Sequence, residues 1–121
     1  MIDRKKVYEK TNGKCSYCGC DISFKQMQVD HIYPKHLATK KCVLDNDRIE
    51  NLMPSCRKCN IHKGGMSIDM WRYELNRQVA MLKNNAQFDR ALRFNQIKIL
   101  SNPIVFYYEY NTMSNSESTK C

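Results

Sequence analysis

The chain has 121 residues, of which 20 are lysine or arginine and 12 are acidic, giving a net charge of +8. A chain of this length suits one domain with a modest core, too small for two, and it gains from a staple such as a metal ion. The positive balance favours a polyanionic partner, nucleic acid ahead of a membrane surface, without by itself fixing which.

The basic start Met-Ile-Asp-Arg-Lys-Lys is followed by no apolar run, so neither a signal peptide nor a spanning helix is expected. The expected location is the reducing cytoplasm of a bacterial or phage-infected cell, where structural disulfides are uncommon. Residues 1 to 14 carry Ile2, Val7 and Tyr8 among charges and end at Asn12-Gly13. That spacing predicts a short amphipathic helix stopped by a glycine-bearing turn.

Cys15-Ser-Tyr-Cys18 follows, with Gly19 behind it, and Cys56-Arg-Lys-Cys59 matches it after 37 intervening residues. Each pair has the spacing of a zinc knuckle, in which two thiolates converge on a tight turn. Common four-cysteine sites hold about 15–20 residues between the pairs, so the longer interval implies a small unit inserted between the knuckles. A redox pair would need a thioredoxin-like βαβ pattern, which is absent. With all four ligands spent, the zinc is expected to be structural and closed. Apparent zinc affinities of about 10–16 kcal/mol rival whole-domain stabilities of about 5–15 kcal/mol, so the fold should depend on the metal. Cys20, Cys42 and Cys121 have no evident partner, although Cys20 is near enough to replace Cys18.

Between the knuckles, Ile22, Phe24, Met27, Val29 and Ile32 give Asp21 to Ile32 the pattern of a hairpin, with a strand over Gln28 to Ile32 ended by Pro34. Residues 35 to 50 read as a polar loop, Leu52 to Ser55 as a returning strand, and Cys56 to Lys63 as a helix stopped at Gly64-Gly65. The order is strand, loop, strand, helix, clipped at both ends.

Asp30-His31-Ile-Tyr-Pro34, then Asn51-Leu, then Cys56-x-x-Cys59-Asn60-x-x-Lys63-Gly64 together resemble the HNH endonuclease motif in its zinc-clipped form. The likeness covers residues 15 to 65. It implies an α+β fold: a ββα-metal (His-Me finger) core clipped by Cys15, Cys18, Cys56 and Cys59. It further implies a metal-dependent DNA endonuclease that leaves 5′-phosphate and 3′-hydroxyl ends. By the same likeness His31 is the general base, Asp30 and Asn60 hold the catalytic metal, and Asn51 is an amide that fixes the loop carrying the base. Many relatives have histidine where this chain has Asn60. Oxygen donors there favour Mg²⁺ or Mn²⁺ over a transition metal.

The chemistry is coherent. A phosphodiester repels nucleophiles and has a poor leaving group, so its hydrolysis needs a base for water and a cation for the developing charge. An unperturbed imidazole is mostly neutral at pH 7 and can accept a proton. One geometric demand follows. Adjacent strand residues point to opposite faces, so Asp30 and His31 can serve one phosphate only if the strand ends, twists or bulges there.

Lys35, Lys40, Lys41, Arg57, Lys58 and Lys63 are expected to form a positive rim for double-stranded DNA. Beyond the motif, Ile68, Trp71, Leu75, Val79 and Leu82 recur at helical spacing, and a second helix is expected from Gln87 to Asn95, within an extension spanning 67–100. Ile104 to Tyr110 reads as a final strand whose aromatics could pack on the helices, pair with another strand or form the edge of a homodimer. Residues 111–121 are Ser/Asn-rich and expected to be disordered. Residues 1–110 are thus expected to form one nuclease domain. The rival reading is a zinc-ribbon DNA-binding module without catalysis, which explains the charge and the cysteines but not Asp30, His31 and Asn60 at their positions. A zinc-stabilised protein-interaction domain is a second rival.

Overall fold

A computed structural model describes residues 2–35 and 46–111. Lys40, Lys41, His36, Cys42 and the tail 112–121 lie outside the described residues. The chain divides into two compact units, one formed by Met1–Ile68 with Val105–Cys121 and the other by Asp69–Ile104. No helix among the described residues is long and apolar enough to cross a membrane.

In the first unit, helix α1 (Arg4–Glu9) starts at Asp3, whose carboxylate accepts from the Lys5 and Lys6 amides. Asn12 and Gly13, with φ of 51° and 81°, turn the chain away from it. Val7 is fully buried, the Tyr8 hydroxyl donates to Ile22 O at 2.8 Å, and Arg4 donates to the carbonyls of Phe24 and Met27. This short helix is thereby laid across the segment leading into the sheet.

Strand β1 (Gln28–His31) pairs antiparallel with β2 (Leu52–Ser55), with Asp30 opposite Met53 and His31 opposite Leu52. Every residue of β2 is buried. Helix α2 (Arg57–Lys63) follows directly. Its N-cap is Cys56, and Gly64 ends it at a φ of 51° with its N–H on Asn60 O. The strand–strand–helix order and its bounds agree with the periodicity to within a residue. The hairpin expected within Asp21 to Ile32 does not form. Asp21 makes an isolated bridge to Lys14 across the knuckle, Ser23 to Gln26 turn, and β1 takes its partner from β2 instead. Of the apolar residues before Gln28, Ile22 and Met27 are buried in the core, while Phe24 is exposed.

The final strand over Ile104 to Tyr110 is also corrected. Residues 104–106 form no ladder, and Tyr107–Asn111 is a short helix, α5. Aromatic and β-branched enrichment suits a strand, but a strand needs an edge to satisfy its amides. Here the amides find other acceptors: Tyr107 N donates to Tyr17 O, Tyr108 N to Ser16 O, and Phe106 N to the Glu109 carboxylate. Phe106 is buried with its ring edge-on to Tyr17. This segment straps the first knuckle. A side chain at Gly19 would sit 3.1 Å from the Tyr107 ring, and its φ of 80° favours glycine.

The second unit holds most of α3 (Ile68–Leu82) and all of α4 (Ala86–Arg93). Asn85 caps α4 by accepting from Phe88 N, and Arg93 pairs with Asp89 one turn away. Trp71 is the buried residue of α3, while α4 buries none.

Candidate metal centre and nuclease site

Four cysteines come together from two tight turns. The first turn is closed by Cys15 N on Cys20 O and Gly19 N on Cys15 O, and it is tied to β2 by Ser16 N on Pro54 O. The second is the N-terminus of α2. The sulfurs of Cys15, Cys18, Cys56 and Cys59 all lie within 4.8 Å of one another, and Cys18 and Cys56 are 3.9 Å apart. Tetrahedral zinc with Zn–S bonds of about 2.3 Å needs sulfurs about 3.8 Å apart, so the donor set and its spacing fit that ion. Tyr17 N and Cys59 N each point at a sulfur, at 3.4 Å, as thiolate ligands require.

The charges point the same way. A hydrogen bond from the Cys59 thiol holds Cys15 down to about 4, while that contact and burial push Cys59 far up. Burial raises Cys18 as well. Four crowded thiols cannot all ionise unless a cation compensates them. Cys20 lies beside the cluster rather than in it, its thiol raised to about 12 chiefly by burial.

The residues singled out around Asp30 occupy the sheet and the helix packed on it. Asp30 is buried in β1, and its Oδ2 accepts from the Tyr17 hydroxyl at 2.5 Å and pairs with Lys63 Nζ at 3.0 Å. Lys63 also donates to His31 O at 3.1 Å. One turn earlier on α2, Asn60 Nδ2 donates to Gln28 Oε1 at 3.3 Å. Asn60 and Lys63 on the helix therefore run along Gln28 and Asp30 on the strand, and the oxygen of Asn60 is left for another donor or a cation.

The fully buried position of Lys63, with no exposed side-chain area, removes it from the expected positive rim. It cannot reach a DNA backbone while it neutralises Asp30. Lys35, Arg57 and Lys58 are exposed, as a rim requires.

Asp30 and His31 both lie within the paired strand, His31 as its last residue, and the chain bends only after it, at Ile32 and Tyr33. Pairing is continuous up to that point, with no bulge. The imidazole bonds neither Asp30 nor Asn60. Its Nε2 lies 2.6 Å from Asp47 Oδ1, and that contact lowers the Asp47 carboxyl below its ordinary range. An ionised carboxylate only accepts, so Nε2 is the donor in this contact, and in a neutral imidazole Nδ1 is then the acceptor. Asp47 was missed in the sequence, where Asp45-Asn-Asp-Arg reads only as polar loop. Nothing local marks its second acid as a partner of a residue 16 positions earlier.

Asn51 is 1% exposed and ends a single 3-10 turn, Ile49–Asn51, ahead of β2. Its side chain accepts from Tyr33 N at 2.9 Å and donates to Asn46 O at 2.7 Å and Tyr33 O at 3.3 Å. One amide thus ties the segment leaving His31 to the segment returning into β2. Both ends of the polar loop are held, and Asp47 is positioned next to Asn46.

Comparison with known proteins matches the segment that carries these residues. The family model for HNH endonuclease matches residues 15–65. The chain is 26% identical over 116 residues to the CRISPR-associated endonuclease Cas9 of Corynebacterium diphtheriae, covering 91% of this chain and 10% of that protein. It is 45% identical over 60 residues to the Septu protein PtuB of Bacillus thuringiensis, covering 48% of this chain and 22% of that protein. Among solved structures it resembles the type II-C Cas9 of Actinomyces naeslundii, with a TM-score of 0.50 and 29% identity over 60% of this chain and 7% of that one. The chain therefore spans less than a quarter of each of these proteins. Two strands and a helix closed by four cysteines, under a matching family model, identify the chain as carrying an HNH-type ββα nuclease domain with an associated four-cysteine metal-binding cluster.

Proposed function

We propose that this domain is a DNA endonuclease that hydrolyses phosphodiester bonds with divalent-metal assistance, leaving 5′-phosphate and 3′-hydroxyl ends. The observation that carries the reading is the His31–Asp47 hydrogen bond within the segment the HNH model matches. It yields an imidazole anchored through Nε2 and able to accept a proton at Nδ1, which is what a base for water requires. Asp30 Oδ1 and the Asn60 amide oxygen are the hard donors that would hold Mg²⁺ or Mn²⁺. Such an ion supplies neutralisation of charge on the phosphate and on the departing oxygen. Asn51 holds the two ends of the loop against each other and so keeps Asp47 against His31. Lys35, Arg57 and Lys58, with Lys40 and Lys41, would meet the backbone of double-stranded DNA.

A second reading has an observation of its own in favour. Asp30 is already neutralised by Lys63, and a carboxylate so paired is as suited to holding a fold together as to holding a metal. On that reading the domain is a zinc-clipped DNA-binding module without catalysis. Plasmid incubated with Mg²⁺ and either the unaltered protein or His31→Ala separates the two. Cleavage by the first alone supports the nuclease; a gel shift without cleavage by either supports the binding module.

A further inference from the structure

The fully buried Lys63 carries a consequence for how the site would take up its cation. Its ammonium sits 3.0 Å from Asp30 Oδ2 and is held a second time by His31 O at 3.1 Å. The Tyr17 hydroxyl donates to the same Oδ2. Two donors therefore load one oxygen of the carboxylate and leave Oδ1 as its open side. Lys63 has no exposed area and cannot swing out to water without leaving a buried carboxylate uncompensated.

The charge balance follows from these contacts. Asp30 and Lys63 together are neutral, and Asn60 adds only an amide dipole. A divalent cation approaching Oδ1 meets the lysine charge on the far side of the same carboxylate, and burial keeps salt from screening the repulsion. A phosphodiester brings the negative charge that the protein side of the site lacks. We propose that Lys63 makes Asp30 and Asn60 a poor cation site in the free protein and a competent one only alongside a DNA phosphate, so that metal and DNA bind with positive synergy. The inference rests on the nuclease reading above and adds to it a regulation of metal uptake by substrate.

The sign of one substitution separates this role from a structural one. A lysine that only braces the fold lowers metal affinity, or leaves it unchanged, when it is replaced. A lysine that repels the cation raises it. Plasmid cleavage by the unaltered protein in Mg²⁺ tests the nuclease reading on its own, and its absence removes that reading. Synergy is then read by Mn²⁺ titration followed by electron paramagnetic resonance on the cleavage-deficient His31→Ala chain, with and without a short DNA duplex. The Asp30→Asn chain identifies the signal that belongs to this site. The expected result is weak binding in the free protein and at least about tenfold tighter binding with duplex; equal affinities would overturn the proposal. In Lys63→Met, free-protein Mn²⁺ affinity should rise about tenfold or more and the duplex effect should shrink. Unchanged or weaker affinity in a Lys63→Met chain that keeps its zinc would also overturn it. If that variant does not fold, the duplex dependence in His31→Ala decides.

Discussion

The two units of this chain solve the problem of being small in opposite ways. The first buries polar and charged groups at its centre: Asp30, Asn51, Ser55 and Lys63 are all interior, each serving a neighbour, and four cysteines close the ends. The second buries Trp71 but carries its ion pairs at the surface and an asparagine cap on one helix, with Tyr73, Met81 and Phe94 exposed. A buried polar network specifies one arrangement but leaves little tolerance for losing a member. A helix held by caps and weak pairs loses little at each change. The lesson is that fragility and the candidate site lie together in the first unit.

The strongest way to break that contrast is to take away the metal. Chelation, or Cys56→Ala, should remove about 10–16 kcal/mol of apparent binding energy and unfold the first unit. Hydrogen exchange should show lost protection across β1, β2 and α2. Retained protection there would mean that the cysteines are not the clip. Next in size, His31→Ala should lower plasmid cleavage by about 10²–10⁴-fold while zinc content and DNA binding persist. Cleavage within about tenfold of the unaltered protein would place the base elsewhere.

Asn51→Ala tests the polar interior without touching a charge. It strips three hydrogen bonds from a side chain that is 1% exposed, and it should cost about 2–3 kcal/mol in denaturant unfolding. The mirror experiment in the second unit is Asn85→Ala. Loss of that cap should cost only about 1 kcal/mol, seen as a small shift in the same assay. A cost for Asn85 as large as that for Asn51 would erase the distinction between the units.

A separate test, made through pH, concerns Lys10, which donates to Ile49 O and Leu52 O and whose pKa burial lowers from 10.5 to about 8. Between about pH 8 and 10.5 the unfolded chain holds the Lys10 proton more tightly than the folded one, so stability should climb modestly with pH across that window. Thermal melts of Lys10→Met should lack this slope. An identical slope in both proteins would show that another group is responsible.

Much of the first unit was legible in the chain because its determinants are local or pairwise in sequence. Two Cys-x-x-Cys turns, a strand ended before Pro34, and a helix stopped by Gly64 are patterns a few residues long, and the structure keeps them. The misreadings have one cause. Ile22 to Met27 alternates like a strand but supplies core residues, and Ile104 to Tyr110 has strand composition but finds its acceptors on Ser16 and Tyr17. In both, tertiary partners outweighed propensity.

By itself the amino-acid order determined the four-cysteine clip and the strand–strand–helix succession, and it singled out an acid, an imidazole and two amides as candidates, because spacing and residue type carry that information. Only the folded chain decided what each of those groups faces. Lys63 turned inward to Asp30 instead of outward to solvent, Tyr17 reached the same carboxylate from the first knuckle, and Asp47 came from a polar loop to His31. The reason is physical: charge compensation in a buried site is set by distances across the fold, and residues 13, 16 and 33 positions apart become neighbours only once the sheet and helix have packed.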